Sequence, residues 1–421
     1  MPSSKFKNKK VMLVGLCALV YFVSYFSRKD FAAVMAGMIS GNIIDKVTGG
    51  FIGMGLFICY GVGQLISGYL GDKIKPKYLI LFGLGTTALC NLLMPLIPSG
   101  TLMIPVWALN GFAQAMLWPP IVRILSDNLD HKEFVSANLV VTTAAHISTI
   151  LLYIYVPVCL EFFEWKTVFF TATALALFAI AVFVVALSFI IPNEPKKDEA
   201  KKEESAKVAI EEHNEGYFAL LRKSGILTVF VCIIMMGFLR DGIETWLPTL
   251  YSEAFNRDAS ESILVSVALP IFSIVSITAI TALHKTKLFA NEVCGSTILF
   301  VICIALCVPI FLLISVEHVA ARIACLILAA AICACMHGCN FLLISCLPGR
   351  FSRFGKAATT SGFCNSFTYV GAAISMYGMA IISEIYGWKA TIISWAAVAA
   401  LGMICTLISF KSYTSFIKQD N

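Results

Sequence analysis

Long apolar runs separated by short polar segments repeat along the whole chain. In order they cover about 11–38, 51–70, 78–97, 102–125, 134–156 and 167–191, then 225–250, 261–283, 291–315, 319–346, 356–385 and 389–410. Each is near the ~20 residues a helix needs to cross a bilayer. The alternating ~10-residue segments of an outer-membrane barrel do not appear. The pattern predicts an all-α polytopic membrane protein of twelve transmembrane helices. Between the sixth and seventh runs lies 192–224, with 15 charged residues in 33. The chain therefore reads as three parts: a six-helix bundle over 1–191, a charged and partly helical linker over 192–224, and a second six-helix bundle over 225–421.

Composition agrees with the pattern. Of 421 residues 59% are apolar and 13% charged, with a mean hydropathy of +0.85, where a soluble domain has about 45–50% and about 25%. A soluble enzyme, a nucleic-acid binder and a disordered protein are excluded. The net charge of +6 comes from 31 basic and 25 acidic residues, and most of the basic ones sit in short loops. With the N-terminus in the cytoplasm, the inside segments hold 23 Lys and Arg and the outside loops four: Lys46, Lys166, Arg257 and Lys389. The positive-inside rule then puts both termini and the linker in the cytoplasm of a cell membrane. The basic stretch Lys5 to Lys10 leads into an apolar run that continues past Arg28, Lys29 and Asp30, so it reads as an uncleaved first helix rather than a secretion signal.

Fifteen cysteines lie almost entirely inside apolar runs and read as small packing residues. Cys333, Cys335, His337 and Cys339 are spaced i, i+2, i+4, i+6, which winds round a helix instead of converging on one ion. Neither a metal nor a cofactor is expected.

The halves echo each other. Glu164-Trp165-Lys166-Thr167 opens the sixth helix, and Gly387-Trp388-Lys389-Ala390 opens the twelfth, 223 residues later. Arg28 in the first helix and Arg240 in the seventh are 212 residues apart, 17 and 15 residues into their runs. A duplicated six-helix unit predicts this, and transporters so built hold substrate near the midplane.

The two arginines are the sharpest chemical signal. A guanidinium inside a bilayer costs at least ~2.5 kcal/mol even on lenient scales, and its planar fork suits phosphate bidentately. The alternative is a structural ion pair. Neighbours one and two positions along a helix point apart, so Asp30 and Asp241 look poorly placed, and Glu244, four residues after Arg240, looks well placed. Lys29 either lines the cavity edge or pairs with a neighbouring helix. His146, at midspan of the fifth helix, is either packing or a group that protonates as a divalent phosphate enters. Tyr25 shares the Arg28 face. Tyr60 with Gln64, and Asn365 with Tyr369, are i, i+4 pairs, and together these residues make a polar seam through several helices. At the cytoplasmic end of the second helix, Gly68, Asp72 and Lys73 read as a gate. The glycine would allow close helix approach, and Asp72 would latch to Arg123.

Together these residues resemble the major facilitator superfamily, whose signature between helices two and three is similar to Gly68-Tyr69-Leu70-Gly71-Asp72-Lys73. Within it the chain resembles the organophosphate:inorganic phosphate antiporters. The stretches that carry this are Tyr25-Phe26-Ser27-Arg28-Lys29-Asp30-Phe31, Tyr60-Gly61, Gly111-Phe112-Ala113-Gln114, Trp118-Pro119-Pro120 with Arg123, Ala145-His146, Arg240 with Trp246-Leu247-Pro248-Thr249, Gly362-Phe363 and Tyr369-Val370-Gly371. The resemblance runs from about residue 20 to 400. It implies a twelve-helix fold of two pseudo-symmetric bundles, binding of a phosphate group by Arg28 and Arg240 with help from His146, and exchange of a small phosphorylated organic anion for inorganic phosphate as the halves rock. Three departures stand out. Gln64 occupies a position where bacterial sugar-phosphate transporters carry Lys. Thr245 stands where they carry Asp, with Glu244 one residue earlier. His284-Lys285-Thr286-Lys287 replaces the second copy of the loop signature and has no Asp.

The expected protein is thus a monomeric alternating-access antiporter. Its partners are the phosphorylated substrate, inorganic phosphate and the lipid bilayer, without nucleic acid and without enzymatic chemistry. Two other readings stay open: a transporter-shaped organophosphate sensor, and a proton-coupled carrier of a non-phosphorylated anion using Glu244 or, less well placed, Glu384.

Overall fold

The computed structural model describes residues 4–190, 220–222, 224–284, 286, 289–354 and 356–418. Every described element is helical. In chain order the helices are α1 (Ser4–Ser40), α2 (Lys46–Lys73), α3 (Pro76–Leu93), α4 (Gly100–Ala115), α5 (Trp118–Asn128), α6 (His131–Phe162), α7 (Lys166–Ile190), α8 (Ile226–Ala254), α9 (Ala259–Val265), α10 (Ala268–Leu283), α11 (Glu292–Leu313), α12 (Val319–Asn340) and α13 (Ala357–Lys418). Most of the linker expected over 192–224 lies outside the described residues.

Among the described residues, ten helical segments are long and apolar enough to span a bilayer, against the twelve apolar runs of the sequence. Two local features account for the difference. The fourth run is divided: α4 ends at Ala115 and α5 starts at Trp118, with Pro119 and Pro120 in the first turn of α5. Proline has no N–H to give a preceding turn and fits where a helix begins. The eleventh and twelfth runs instead follow one another without an intervening loop in α13. Gly387 turns the chain between them at φ 77°, a conformation open to glycine and strained for other residues.

Contacts group the described residues into two compact units. The first holds 4–190 together with Thr245–Ile274 and Met376–Ile385. In it α2 packs along α4, α1 along α6 and α7, α3 along α7, and α9 against α6 and α1. The second holds the described residues of 220–244, Val275–Ser375 and 386–418, where α11 packs along α12.

Lipid is as apolar as leucine, so close packing of small residues, rather than water exclusion, brings such helices together. A Cβ on Gly111 of α4 would collide with the Leu56 carbonyl of α2. In the second unit a Cβ on Gly371 of α13 would collide with the Ile234 carbonyl of α8. Large apolar residues such as Leu139, Phe162, Leu312 and Ile385 stay exposed, as lipid-facing positions do.

Helix starts are capped by side chains. The Asp45 carboxylate accepts the Thr48 N–H at 2.8 Å and its hydroxyl at 2.6 Å, and these bonds hold the acid below the usual carboxylate range. Asp130 and Glu133 form a reciprocal capping box at the start of α6, and Asn291 caps α11.

Candidate functional site

In the first unit, α1 and α2 bring three of the expected site residues together. The Arg28 guanidinium lies over the Tyr25 ring at 4.3 Å and over the Tyr60 ring at 4.9 Å. Tyr25 shares a helix face with Arg28 through its three-residue spacing, and its ring meets Tyr21 edge-on at 5.0 Å. Tyr21 in turn contacts Trp118 at 4.7 Å, so the aromatic support runs back to the start of α5. A cation–π contact engages a guanidinium through its face. It therefore orients the guanidinium plane. Gln64, one turn beyond Tyr60, donates to the Ala115 carbonyl at the α4 break, at 3.5 Å. His146 Nδ1 lies 2.9 Å from the Thr142 carbonyl one turn back, a contact that suits a proton on Nδ1. Lys29 is half-buried on α1.

In the second unit Arg240 is held differently. Its Nη2 donates to Asp241 Oδ2 at 2.7 Å, its Nε to Asp241 Oδ1 at 3.3 Å, and its Nη1 to Asn340 Oδ1 at 2.6 Å. Arg240 and Asp241 are 9% and 6% exposed. This overturns the expectation that Asp241 points away from Arg240. Helical spacing separates the Cβ atoms of neighbours, but the long arginine side chain folds back across that gap. Glu244, also buried, and Tyr369 lie within electrostatic reach of Arg240. Asn365 is one turn before Tyr369 on α13, and both are half-buried. Asn340 closes α12 where the chain passes into a π-helical turn, Phe341–Cys346, a distortion frequent at functional sites. Cys333 of α12 donates to the Arg240 carbonyl at 3.7 Å. No group of three or more His, Cys, Asp and Glu among the described residues is arranged to hold a metal ion.

A second polar cluster in the first unit escaped the sequence reading. Ser24, Ser27 and Asp30 of α1, Thr87 and Asn91 of α3, and Asn110 and Gln114 of α4 are each 2% exposed or less. Their spacings of three or four residues put each set on one helix face, which is the signal that reveals them. Gln114, quoted above in a family-like motif, belongs to this cluster.

The expected gate is partly visible. The Asp72 side chain lies outside the described residues. Arg123 donates to the Ile74 carbonyl at 3.5 Å and lies 3.6 Å from Asp127, four residues on. Lys73 pairs with Tyr69 one turn back. Gly68 has open space where its Cβ would be, so the close approach expected there is supplied by other glycines.

Two further charged clusters were missed. Lys46, at the start of α2, lies 2.7 Å from Glu253 and 3.3 Å from Glu384, all within the first unit. In the second unit the buried Glu292 accepts from Arg350 Nε at 3.0 Å and from the Tyr413 hydroxyl at 3.0 Å, with His284 Nε2 3.6 Å away. The loop over 284–290 thus lacks an Asp but leads into a buried carboxylate at the first position of α11.

With this geometry in place, comparison with known proteins decides the family. The Major Facilitator Superfamily model matches residues 17–376. The chain belongs to the Major Facilitator Superfamily. This major facilitator is 23% identical over 386 residues to the "Membrane sensor protein UhpC" of Salmonella typhimurium, covering 88% of this chain and 84% of that protein. It is 28% identical over 173 residues to a "Probable hexose phosphate transport protein" of Chlamydia trachomatis. That match covers 41% of this chain and spans only 36% of the relative's length. Among solved structures, a bacterial homolog of the human lysosomal transporter Spinster, inward-facing and unoccupied, superposes with a TM-score of 0.74 at 12% identity, covering 99% of this chain and 98% of that one. At that identity the likeness speaks for the fold alone.

Proposed function

We propose that this major facilitator is a secondary transporter of a small phosphorylated organic anion, exchanged for inorganic phosphate, with Arg28 and Arg240 as the phosphate-binding groups. The observation that carries this reading is the Arg28 guanidinium between the Tyr25 and Tyr60 rings. The rings hold a guanidinium in a membrane helix and fix the plane of its fork. An oxyanion is the ligand that such a fork pairs with best. Lys29, His146, Gln64, Asn365 and Tyr369 shape the rest of the binding surface, and Gly68, Asp72, Lys73, Arg123 and Glu244 serve gating. The protein acts as a monomer in the cell membrane, with both termini in the cytoplasm, and carries out no enzymatic chemistry.

The test is exchange in liposomes loaded with labelled inorganic phosphate. External glycerol phosphate, hexose phosphates and three-carbon acid phosphates are added in turn, with matched carboxylates as controls. Label efflux driven by a phosphate ester and lost in Arg240→Ala is expected. Efflux driven by carboxylates alone would overturn the reading.

A second reading rests on a specific observation: the relative matched over most of its length is named a sensor. A phosphorylated solute that raises the melting temperature of this chain but drives no label efflux would favour a sensor.

A further inference from the structure

Arg28 and Asp30 differ by two positions on α1, or about 200° around a helix, so Asp30 faces away from the aromatic pair that holds Arg28. It lies three residues from Ser27, whose carbonyl anchors a buried polar cluster formed with α3 and α4. Ser24 Oγ donates to Gln114 Oε1 at 2.5 Å, and Gln114 Nε2 donates to Thr87 Oγ1 at 3.2 Å. Asn91 Nδ2 donates to the Thr87 carbonyl at 3.0 Å and to the Ser27 carbonyl at 3.1 Å. Asn110 Nδ2 donates to the same Ser27 carbonyl at 3.1 Å. Ser27 Oγ turns the other way, toward the Ala172 carbonyl of α7 at 3.5 Å.

The acceptors are in surplus. Asp30 Oδ1 accepts the Phe31 N–H at 2.8 Å. Asp30 Oδ2, Asn91 Oδ1 and Asn110 Oδ1 are buried without a hydrogen-bond partner among the described residues. The two amides hang from one carbonyl, and Asp30 is one turn from the residue that owns it. Rotating either amide would aim its oxygen at the Ser27 carbonyl and lose a bond, so both orientations are fixed. No cation among the described residues lies within ion-pair distance of Asp30, which is 0% exposed. The neighbouring elements offer little to offset it. α4 carries no titratable side chain, α7 only Lys166 at its first residue, and α3 the buried Cys90 thiol beyond Lys77 and Tyr78 in its first turn; α6, which packs along α1, carries His146, Tyr153, Tyr155, Cys159 and Glu161 beyond its first turn. On α1, Arg28 and Lys29 occupy other faces. An isolated carboxylate in such a place is neutralised by a bound cation or it destabilises the fold.

We propose that Asp30, with Asn91 and Asn110, forms a binding site for one small monovalent cation, a proton or a sodium ion, inside the first unit and behind the anion-binding face of α1. Hard oxygen donors, one of them formally charged, suit either ion. Because α1 carries Arg28 on one face and this site on the other, occupancy of the two is linked through a single helix.

The test uses the purified full chain in lipid nanodiscs and needs no transported solute, so its outcome is independent of the phosphate reading. Melting is followed in sodium chloride and in choline chloride at matched ionic strength, and infrared spectra are recorded at neutral pH. If the cation is sodium, the melting temperature rises by several degrees in sodium and Asp30→Asn loses the rise. If it is a proton, melting is indifferent to sodium, and a carboxylic-acid C=O band is present in the natural protein and absent from Asp30→Asn. Should Asp30→Asn fail to fold, Asn110→Ser and Asn91→Ser carry the same test. Withdrawing one amide oxygen to a shorter hydroxyl raises the half-maximal sodium concentration several-fold or shifts the acid band. Indifference to sodium, with no acid band that responds to any of these substitutions, would overturn the proposal.

Discussion

Arg28 and Arg240 occupy corresponding helices at similar depth, yet opposite means hold them. Arg28 rests against two aromatic faces, those of Tyr25 and Tyr60. Arg240 is gripped by the carboxylate of the very next residue and by a neutral amide, so its charge is largely cancelled locally. An anion meeting Arg28 finds a positive group already oriented. One meeting Arg240 must compete with Asp241 for the same N–H edge. The duplication preserved a guanidinium in each half while the chemistry supporting it diverged. The two positions therefore differ in what they demand of a ligand.

The strongest way to break the comparison is to replace the fork while keeping the charge. Arg28→Lys leaves a cation but removes the planar donor set. The charge-assisted bonds at stake are worth about 1.5–3 kcal/mol each, so phosphate affinity is expected to fall by about ten- to a hundredfold, with the melting temperature little changed. Titration of inorganic phosphate by calorimetry on the purified protein checks this, and near-normal affinity would remove Arg28 from the site. Asp241→Asn probes the other side. It keeps the shape and removes the competing charge, so phosphate should bind more tightly, by roughly tenfold, the equivalent of one charge-assisted bond. If Asp241 instead serves only to stabilise the fold, the same variant melts lower and binds phosphate no better.

Much of this was legible in the residues. Apolar runs foretold where the helices lie, because a bilayer imposes length and hydrophobicity on any segment that crosses it, while some ends differ, as at Lys418 against residue 410. Arg28 and Arg240 stood out because charge in such a run demands a reason. The partners were harder to find. Asp241 was discounted on helical spacing, which describes where Cβ atoms point and ignores the reach of an arginine. Asn340, Asn91 and Asn110 are neutral and carry no penalty large enough to draw notice in an apolar run. Only their packing against α8 or α1 gives them meaning. Trp118-Pro119-Pro120 was read as a family motif, and its mechanical effect, the division of the fourth run into α4 and α5, became visible in the backbone. Glu292 gives no loop signature, because the loop has no Asp and the buried acid lies at the first position of the next helix. Removing it leaves Arg350 and Tyr413 without their shared partner. Glu292→Ala should therefore destabilise the second unit by about 3 kcal/mol, the low end for a broken buried pair, since Arg350 is partly exposed. Chemical denaturation compared with the natural protein checks it.

The finest test of the comparison separates the ring from the hydroxyl at position 60. Tyr60 is almost wholly buried and contacts Arg28 through its ring face. Tyr60→Phe keeps that face and should leave phosphate affinity within about twofold. Tyr60→Leu keeps the bulk but removes the quadrupole, and a cation–π contact is worth ~0.5–1 kcal/mol at accessible sites. Affinity should then fall by about two- to fivefold. The corresponding change near Arg240, Asn340→Leu, removes a hydrogen bond instead of a ring and leaves the Asp241 pair in place. If the two arginines are held as differently as their surroundings indicate, Tyr60→Leu loosens the orientation of the Arg28 guanidinium and acts on phosphate affinity. Asn340→Leu leaves a neutralised pair intact and acts weakly. Equal losses in both variants would show that the aromatic faces and the amide do the same job, and that the asymmetry of partners has no counterpart in binding.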